Sequence, residues 1–256
     1  MGSSVYARAW RAVIVACGLA WFGPTGLRAE PSAPAALVEP SAEPFGLAAT
    51  SLTSGGLYDK WLGVQRRLED DMVQLALCEG DRDGCVSPAA LRLLDIVDAA
   101  RLRDGRARLG EINRALNLSI KATSDFAQHG QADVWSSPLA TLERGGGDCE
   151  DYAIAKFVAL RSAGIAPDDL RIVIIHDAIR GEDHAVAAAR LDGDWLMLDN
   201  RRMAMLRDVD VRNHRATFVI GQHGVMRYAD SSLLAAASDR KPAAPPATGS
   251  LAASAD

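Results

Sequence analysis

A chain of 256 residues, 48% of them hydrophobic, is long enough to bury one ordinary core, and 28 basic against 33 acidic residues give it a formal charge of −5. That balance offers no basic face for a phosphate backbone, so nucleic acid is not an expected partner. Without residues 1–29, 25 basic residues stand against 33 acidic ones and the charge becomes −8.

Those first residues read as a secretory signal peptide. Arg8 and Arg11 precede an apolar run from Ala12 to Phe22, and Leu27-Arg28-Ala29 ends on a small residue suited to cleavage. Gly23, Pro24 and Thr25 stop the run short of the roughly 18 apolar residues a membrane span needs. Cys17, after Val15-Ala16, leaves a lipid-attachment reading open, with few apolar residues before it. The expected mature protein is soluble and lies outside the cytoplasm. Residues 30–56 are rich in Ala, Pro, Ser and Gly and read as a flexible leader; residues 231–256 repeat that composition and read as a disordered Ala/Pro-rich tail. The folded domain is expected over 57–230.

The first half of that domain has helical periodicity. Leu57, Trp61, Val64, Leu68, Met72 and Leu75 recur at three-to-four spacing. Pro88 stands where a helix accepts proline, ahead of Leu91, Leu93, Leu94, Ile96 and Val97, and a third stripe runs through Leu109, Ile112, Leu116 and Ile120. Between the first two lies Cys78-Glu-Gly-Asp-Arg-Asp-Gly-Cys85, a short polar loop that suits a disulfide in an oxidising compartment. A free or metal-binding pair is the alternative. Either way Cys149 stands alone.

Cys149 follows Gly145-Gly-Gly-Asp148 and opens a helix whose apolar side is Ala153, Phe157 and Leu160, with Lys156 at its edge. In that register Asp148 is the N-cap and the thiol points inward at a helix start. The unpaired N–H groups and dipole there lower a thiol pKa and supply donors for an oxyanion. Asp148, Glu150 and Asp151 also fit a plain structural account, since acids in a first turn complement the dipole.

After Gly164 the pattern changes to strands. Leu170 to His176 is a β-branched run, and the runs His184–Leu191 and Trp195–Asp199 flank Asp192-Gly193, a strong hairpin signal. Thr217–Ile220 and Val225–Tyr228 extend the sheet. Helices followed by an antiparallel sheet make an α+β fold. If Asp192 and Gly193 form the loop, Val186 faces Asp199, so His184 and Asp199 are diagonal neighbours on one face, about 7–8 Å apart between backbones. A three-residue loop would place them on opposite faces. Cys149, His184 and Asp199 then satisfy the needs of nucleophilic catalysis: a thiol, a base to take its proton, and an acid to fix the base's tautomer. His176 is the rival base, ending a strand with no comparable acid foreseen opposite it, and His129, His214 and His223 read as surface residues.

Trp135-Ser-Ser-Pro138, Gly147-Asp-Cys-Glu-Asp-Tyr-Ala153, Glu182-Asp-His-Ala-Val186 and Leu198-Asp-Asn-Arg201 together resemble the bacterial transglutaminase-like cysteine peptidases, the family that includes the LapG-type periplasmic proteases. The resemblance spans about 57–230. It implies a papain/transglutaminase-like fold, thiol proteolysis by Cys149, His184 and Asp199, and a calcium ion held by Asp148, Glu150 and Asp151. Calcium takes oxygen ligands, and three carboxylates that oppose thiolate formation would be neutralised by it. Trp135 resembles a position near the oxyanion site, where an indole N–H is a donor, and Asn200 is a candidate to orient His184 or Asp199. LapG-type members cleave the N-terminal region of large surface adhesins and are held by an inner-membrane receptor that responds to cyclic di-GMP; substrate and partner are carried by the resemblance alone. Acyl transfer to an amine (transglutaminase or deamidase), a non-catalytic calcium-binding adaptor and a peptidoglycan amidase stand as alternatives.

Overall fold

The computed structural model of the chain describes residues 43–229. The segment read as a signal peptide, the first part of that read as a leader and the tail read at 231–256 lie outside the described residues. The chain enters through a short turn and strand β1 (Ala49–Ser51), then three helices, α1 (Gly56–Gly80), α2 (Pro88–Arg101) and α3 (Gly105–Ser119). Strand β2 (Lys121–Ala122), α4 (Asp125–His129), α5 (Pro138–Arg144), β3 (Gly146–Gly147) and α6 (Cys149–Ser162) follow, and then the strands β4 (Leu170–Asp177), β5 (Glu182–Leu191), β6 (Asp194–Leu198), β7 (Leu206–Arg207), β8 (His214–Gly221) and β9 (Gly224–Tyr228). The main sheet has the order β1-β9-β8-β4-β5-β6-β7 with antiparallel pairing throughout.

Local chemistry explains these boundaries. Pro88 occupies the first turn of α2, and Ser87 caps it by accepting the Ala90 amide at 3.2 Å. Asp192 and Gly193 both have positive φ, 53° and 90°, as a two-residue hairpin of the type favoured by strand twist requires. The resulting register pairs Leu191 with Asp194 and Ala187 with Leu198, the even-loop pairing expected from the sequence. Cys78 and Cys85 are joined by a disulfide.

Helix α6 is the centre of the domain, with every residue from Glu150 to Leu160 buried. Ala185, Ala187 and Ala189 turn the same side of β5 into the core that holds α6, while Val186 and Ala188 join a second cluster with Val173, Trp195 and Val219. Alanine on both the strand and the helix lets their backbones approach closely, and a larger side chain at Ala187 would force the layers apart at a cost of about 1–3 kcal/mol. The two clusters are the sheet's two faces, one under the helices and one under the chain around Phe45 and Val211.

The later part of the segment read as a leader belongs to the fold. Strand β1 pairs with β9, and the Glu43 carboxylate takes two hydrogen bonds from the buried Arg171 guanidinium, at 2.7 and 2.8 Å. A three-residue edge strand is too short to show as a period in an Ala- and Ser-rich stretch, which is why composition suggested mobility there. No helix among the described residues is long and apolar enough to cross a membrane.

Candidate active site

Cys149 is the first residue of α6, placed there by the glycine segment that precedes it. Strand β3 lies parallel to β2, with the Thr123 amide donating to the Gly147 carbonyl at 3.0 Å. Gly147 leaves no room for a side chain, because a Cβ there would sit 2.8 Å from that of Asp151. Asp148 is the N-cap by backbone position, yet its side chain makes no cap hydrogen bond. Capping therefore does not account for that carboxylate.

His184 and Asp199 meet as the register demands. His184 Nε2 and Asp199 Oδ1 are 2.9 Å apart, and the ring is 2% exposed. Burial pushes the Asp199 pKa up, but the hydrogen bonds from His184 and the Arg201 amide and the charges of His184 and Arg202 outweigh it and hold the carboxyl below its ordinary value. The other ring nitrogen, Nδ1, is buried without a hydrogen-bond partner. The amide of the next residue, Ala185, lies toward the Cys149 sulfur and partly offsets the rise in its pKa, so the thiol sits beside the strand position adjacent to His184. A cavity of about 180 Å³ opens beside the pair, lined by His184, Asp199, Arg180, Arg201, Arg202 and Arg212. A larger hollow of about 1170 Å³ over Phe45, Leu47, His214 and Phe218 is lined by none of Cys149, His184 and Asp199.

The thiol itself is engaged elsewhere. Cys149 Sγ donates to Glu150 Oε2 at 3.1 Å, and no hydrogen bond joins it to His184. Burial first, and then the Glu150 charge, push the thiol pKa up, the reverse of what a helix start alone dictates. Burial, with a hydrogen bond and charge from Glu150, pushes Asp148 up to about 9; burial pushes Asp151 up to about 6 against the Ser136 amide that it accepts.

The acid cluster differs from the expected set in one member. Asp125, Asp148 and Glu150 place ligand oxygens within 4.8 Å of one another, while Asp151 stands outside that group, its Oδ1 accepting the Ser136 amide at 2.8 Å and its Oδ2 buried without a partner. Asp125 Oδ1 and Asp148 Oδ1 are buried and lack hydrogen-bond partners. Clustered carboxyl oxygens, two of them buried without a protein partner, fit a hard cation such as calcium. Asp125 comes from α4, and its separation from the Gly-Asp-Cys segment hid it from motif reading.

The two supporting residues expected from sequence do other things. The Trp135 indole donates to Asp133 Oδ1 at 2.9 Å and is 7% exposed, so its N–H is not free for an oxyanion. Asn200 contacts neither His184 nor Asp199 through a hydrogen bond, and its Oδ1 is buried without a partner. Asp199 is held instead by the Arg201 amide at 3.0 Å, by Arg202 at 3.5 Å, and through its carbonyl by Asn117 at 3.1 Å. The rival base His176 does have an acid opposite, Asp183 at 2.9 Å, because β4 and β5 pair them directly; both are solvent-accessible, at 37% and 70%. His129 and His214 are half-buried, the former 4.0 Å from Asp125 and the latter in a tilted ring contact with Phe45, and only His223 of the three is as exposed as expected.

The family model described as bacterial transglutaminase-like cysteine proteinase matches residues 73–216, more than half of the chain. Among solved structures, LapG of Legionella pneumophila is similar at 23% identity with a TM-score of 0.51, covering 64% of this chain and 91% of that one. A calcium-bound form of that LapG covers 64% and 92%, and an EGTA-treated form 64% and 91%, both at 22% identity and a TM-score of 0.51. No curated protein sequence matches.

Proposed function

The chain belongs to the bacterial transglutaminase-like cysteine proteinases and is a cysteine peptidase, and we propose that Cys149, His184 and Asp199 perform its reaction. The observation that carries this reading is the His184–Asp199 pair at 2.9 Å, with Nδ1 left buried and unpartnered next to the strand position whose amide lies toward the Cys149 sulfur. With its Nε2 proton directed at Asp199, His184 keeps the Nδ1 lone pair as the base.

In this mechanism the thiol turns from Glu150 to Nδ1, which takes its proton as sulfur attacks the scissile carbonyl carbon. The imidazolium, stabilised by Asp199, then protonates the departing amine as the C–N bond breaks, leaving a thioester. Water, deprotonated by the same nitrogen, hydrolyses the thioester and restores the thiol. First-turn N–H groups of α6, uncapped by the Asp148 side chain, are the donors this reading assigns to the developing oxyanion.

The same reading includes a calcium ion on Asp125, Asp148 and Glu150. When bound it supplies positive charge that neutralises the carboxylates beside the thiol. Support comes from the unpaired buried oxygens and from the similarity to a LapG that has been observed with calcium bound.

We further propose export to the periplasm through residues 1–29, proteolysis of the N-terminal region of a large surface adhesin in the setting of a biofilm, and control by an inner-membrane receptor responsive to cyclic di-GMP. These rest on the signal-like sequence and the family resemblance. The test incubates the protein, with and without calcium, with adhesin N-terminal fragments and reads new peptide termini and ammonia by mass spectrometry and a coupled assay. New termini that vanish in Cys149→Ala and His184→Ala support the peptidase mechanism. Ammonia without new termini would instead assign deamidase or transglutaminase chemistry. A Cys149→Ala protein that unfolds by circular dichroism would reveal a structural cysteine.

A further inference from the structure

Lys156 is the largest fully buried side chain among the described residues. It lies two turns after Cys149 on α6, and its Nζ donates to the Leu198 carbonyl at 2.9 Å, with the Tyr152 ring 5.7 Å away. Burial lowers its pKa to about 7, opposed by the charge of Asp199. From the neighbouring helix α3, Asn117 Nδ2 donates to the carbonyls of Asp199 and Arg202 at 3.1 and 3.2 Å, and the buried Asn113 donates to that of Met203 at 3.0 Å.

These bonds gather at one place. Asp199 stands one residue past the end of β6, where the sheet ladder no longer holds the backbone. Side chains from α6 and α3 secure this end of the strand, Lys156 at the carbonyl of Leu198, the last residue paired with β5, and Asn117 at that of Asp199. An ammonium is an expensive way to fill space, since an apolar chain of the same length would pack there without desolvating a charge. Its value lies in a donor that reaches a carbonyl from the helix carrying the nucleophile.

We propose that Lys156 is a positioning residue: with Asn117 it fixes the Leu198–Asp199 backbone, so that Asp199 stays on His184 Nε2 and the base faces the thiol carried by the same helix. Lys156 touches neither substrate nor the reacting atoms. The inference rests on the proposed roles of His184 and Asp199.

The test uses the calcium-loaded full chain and the variants Lys156→Met, Asn117→Ala, His184→Ala and Ile154→Val, the last a packing control on the same helix. Three quantities are read: the melting temperature, the slowly exchanging imidazole N–H of His184 by proton–nitrogen NMR, and the iodoacetamide alkylation rate of Cys149. Lys156→Met is expected to lose the resolved N–H signal and to slow alkylation about tenfold to a hundredfold, the effect of a misplaced catalytic group. Asn117→Ala, which tests the same grip should Lys156→Met fail to fold, is expected to shift both readouts in the same direction. Retention of the signal and of the wild-type alkylation rate in both variants would overturn the proposal, as would equal loss of the signal in Ile154→Val. Failure of the triad reading is distinct: alkylation would then be unchanged in His184→Ala, whatever Lys156 does to the imidazole signal.

Discussion

Calcium binding should become more stabilising as pH rises. Asp148 and Asp151 have folded-state pKa values of about 9 and about 6, above the ordinary carboxylate value of 3.8, with burial the largest cause in each. A group with a raised folded pKa holds its proton more tightly folded than unfolded. For an acid this means no penalty below the unfolded pKa and a growing loss of stability as pH climbs towards the folded one. The metal-free protein therefore loses stability from these groups between pH of about 4 and about 9. An ion on Asp125, Asp148 and Glu150 must displace the Asp148 proton, so its apparent affinity gains about tenfold per pH unit below that pKa, or about 1.4 kcal/mol. At a hundred times its dissociation constant calcium contributes about 2.7 kcal/mol, which for a domain of this size raises the melting temperature by about 5–11 °C. Thermal denaturation with EGTA, calcium or magnesium at about pH 6 and about pH 8 reads this out, both values lying inside the window in which the penalty grows. Magnesium, which demands a tighter octahedral shell, should shift the melt less. Asp125→Asn and Asp148→Asn should lose most of the calcium increment, and Asp148→Asn should raise the metal-free melting temperature at the higher pH. A calcium increment equal at both pH values, or preserved in both variants, would refute the reasoning.

Gly147→Ala would drive a methyl into Asp151 and to within 3.1 Å of Thr141 Cγ2, so it should destabilise by about 1–3 kcal/mol and reduce alkylation of Cys149 through the displaced start of α6; unfolding and alkylation rates check both. Replacing Cys78 and Cys85 with serine opens a short loop, which should cost about 2.5 kcal/mol and lower the melting temperature by about 5–10 °C while the Cys149 alkylation rate stays unchanged. Trp135→Phe removes an indole N–H that is bonded to Asp133, so peptidase activity should stay within about tenfold of wild type; a loss of about a hundredfold or more, the effect of deleting an oxyanion donor, would restore Trp135 to the oxyanion site.

Much of this site can be read from local pattern. The Asp192-Gly193 turn between two strand-like runs dictates the hairpin register, and the register alone puts His184 and Asp199 on one face. The same is true of Cys149: glycines followed by Asp148 and an apolar stripe specify a helix start, because such signals depend on neighbours within a turn or two. The Cys78–Cys85 bridge is also legible, spanning a single short loop.

Other features depend on which distant segments pack together. Asp125 joins Asp148 and Glu150 because β2 pairs with β3 and brings α4 beside the start of α6, a contact that no spacing within the Gly-Asp-Cys segment announces. Asp151 stands outside that set, with Oδ1 accepting the Ser136 amide, and the Trp135 indole N–H is spent on a hydrogen bond that Asp133 accepts. Asn113, Asn117 and Lys156 look in sequence like polar interruptions of helical stripes. They become supports for Asp199 only once α3 and α6 are packed against the end of β6, where they donate to the carbonyls of Leu198, Asp199 and Met203. Backbone periodicity is set by near neighbours and survives in the sequence; the partner of a buried polar atom is set by whatever the folded chain brings within about 3 Å of it.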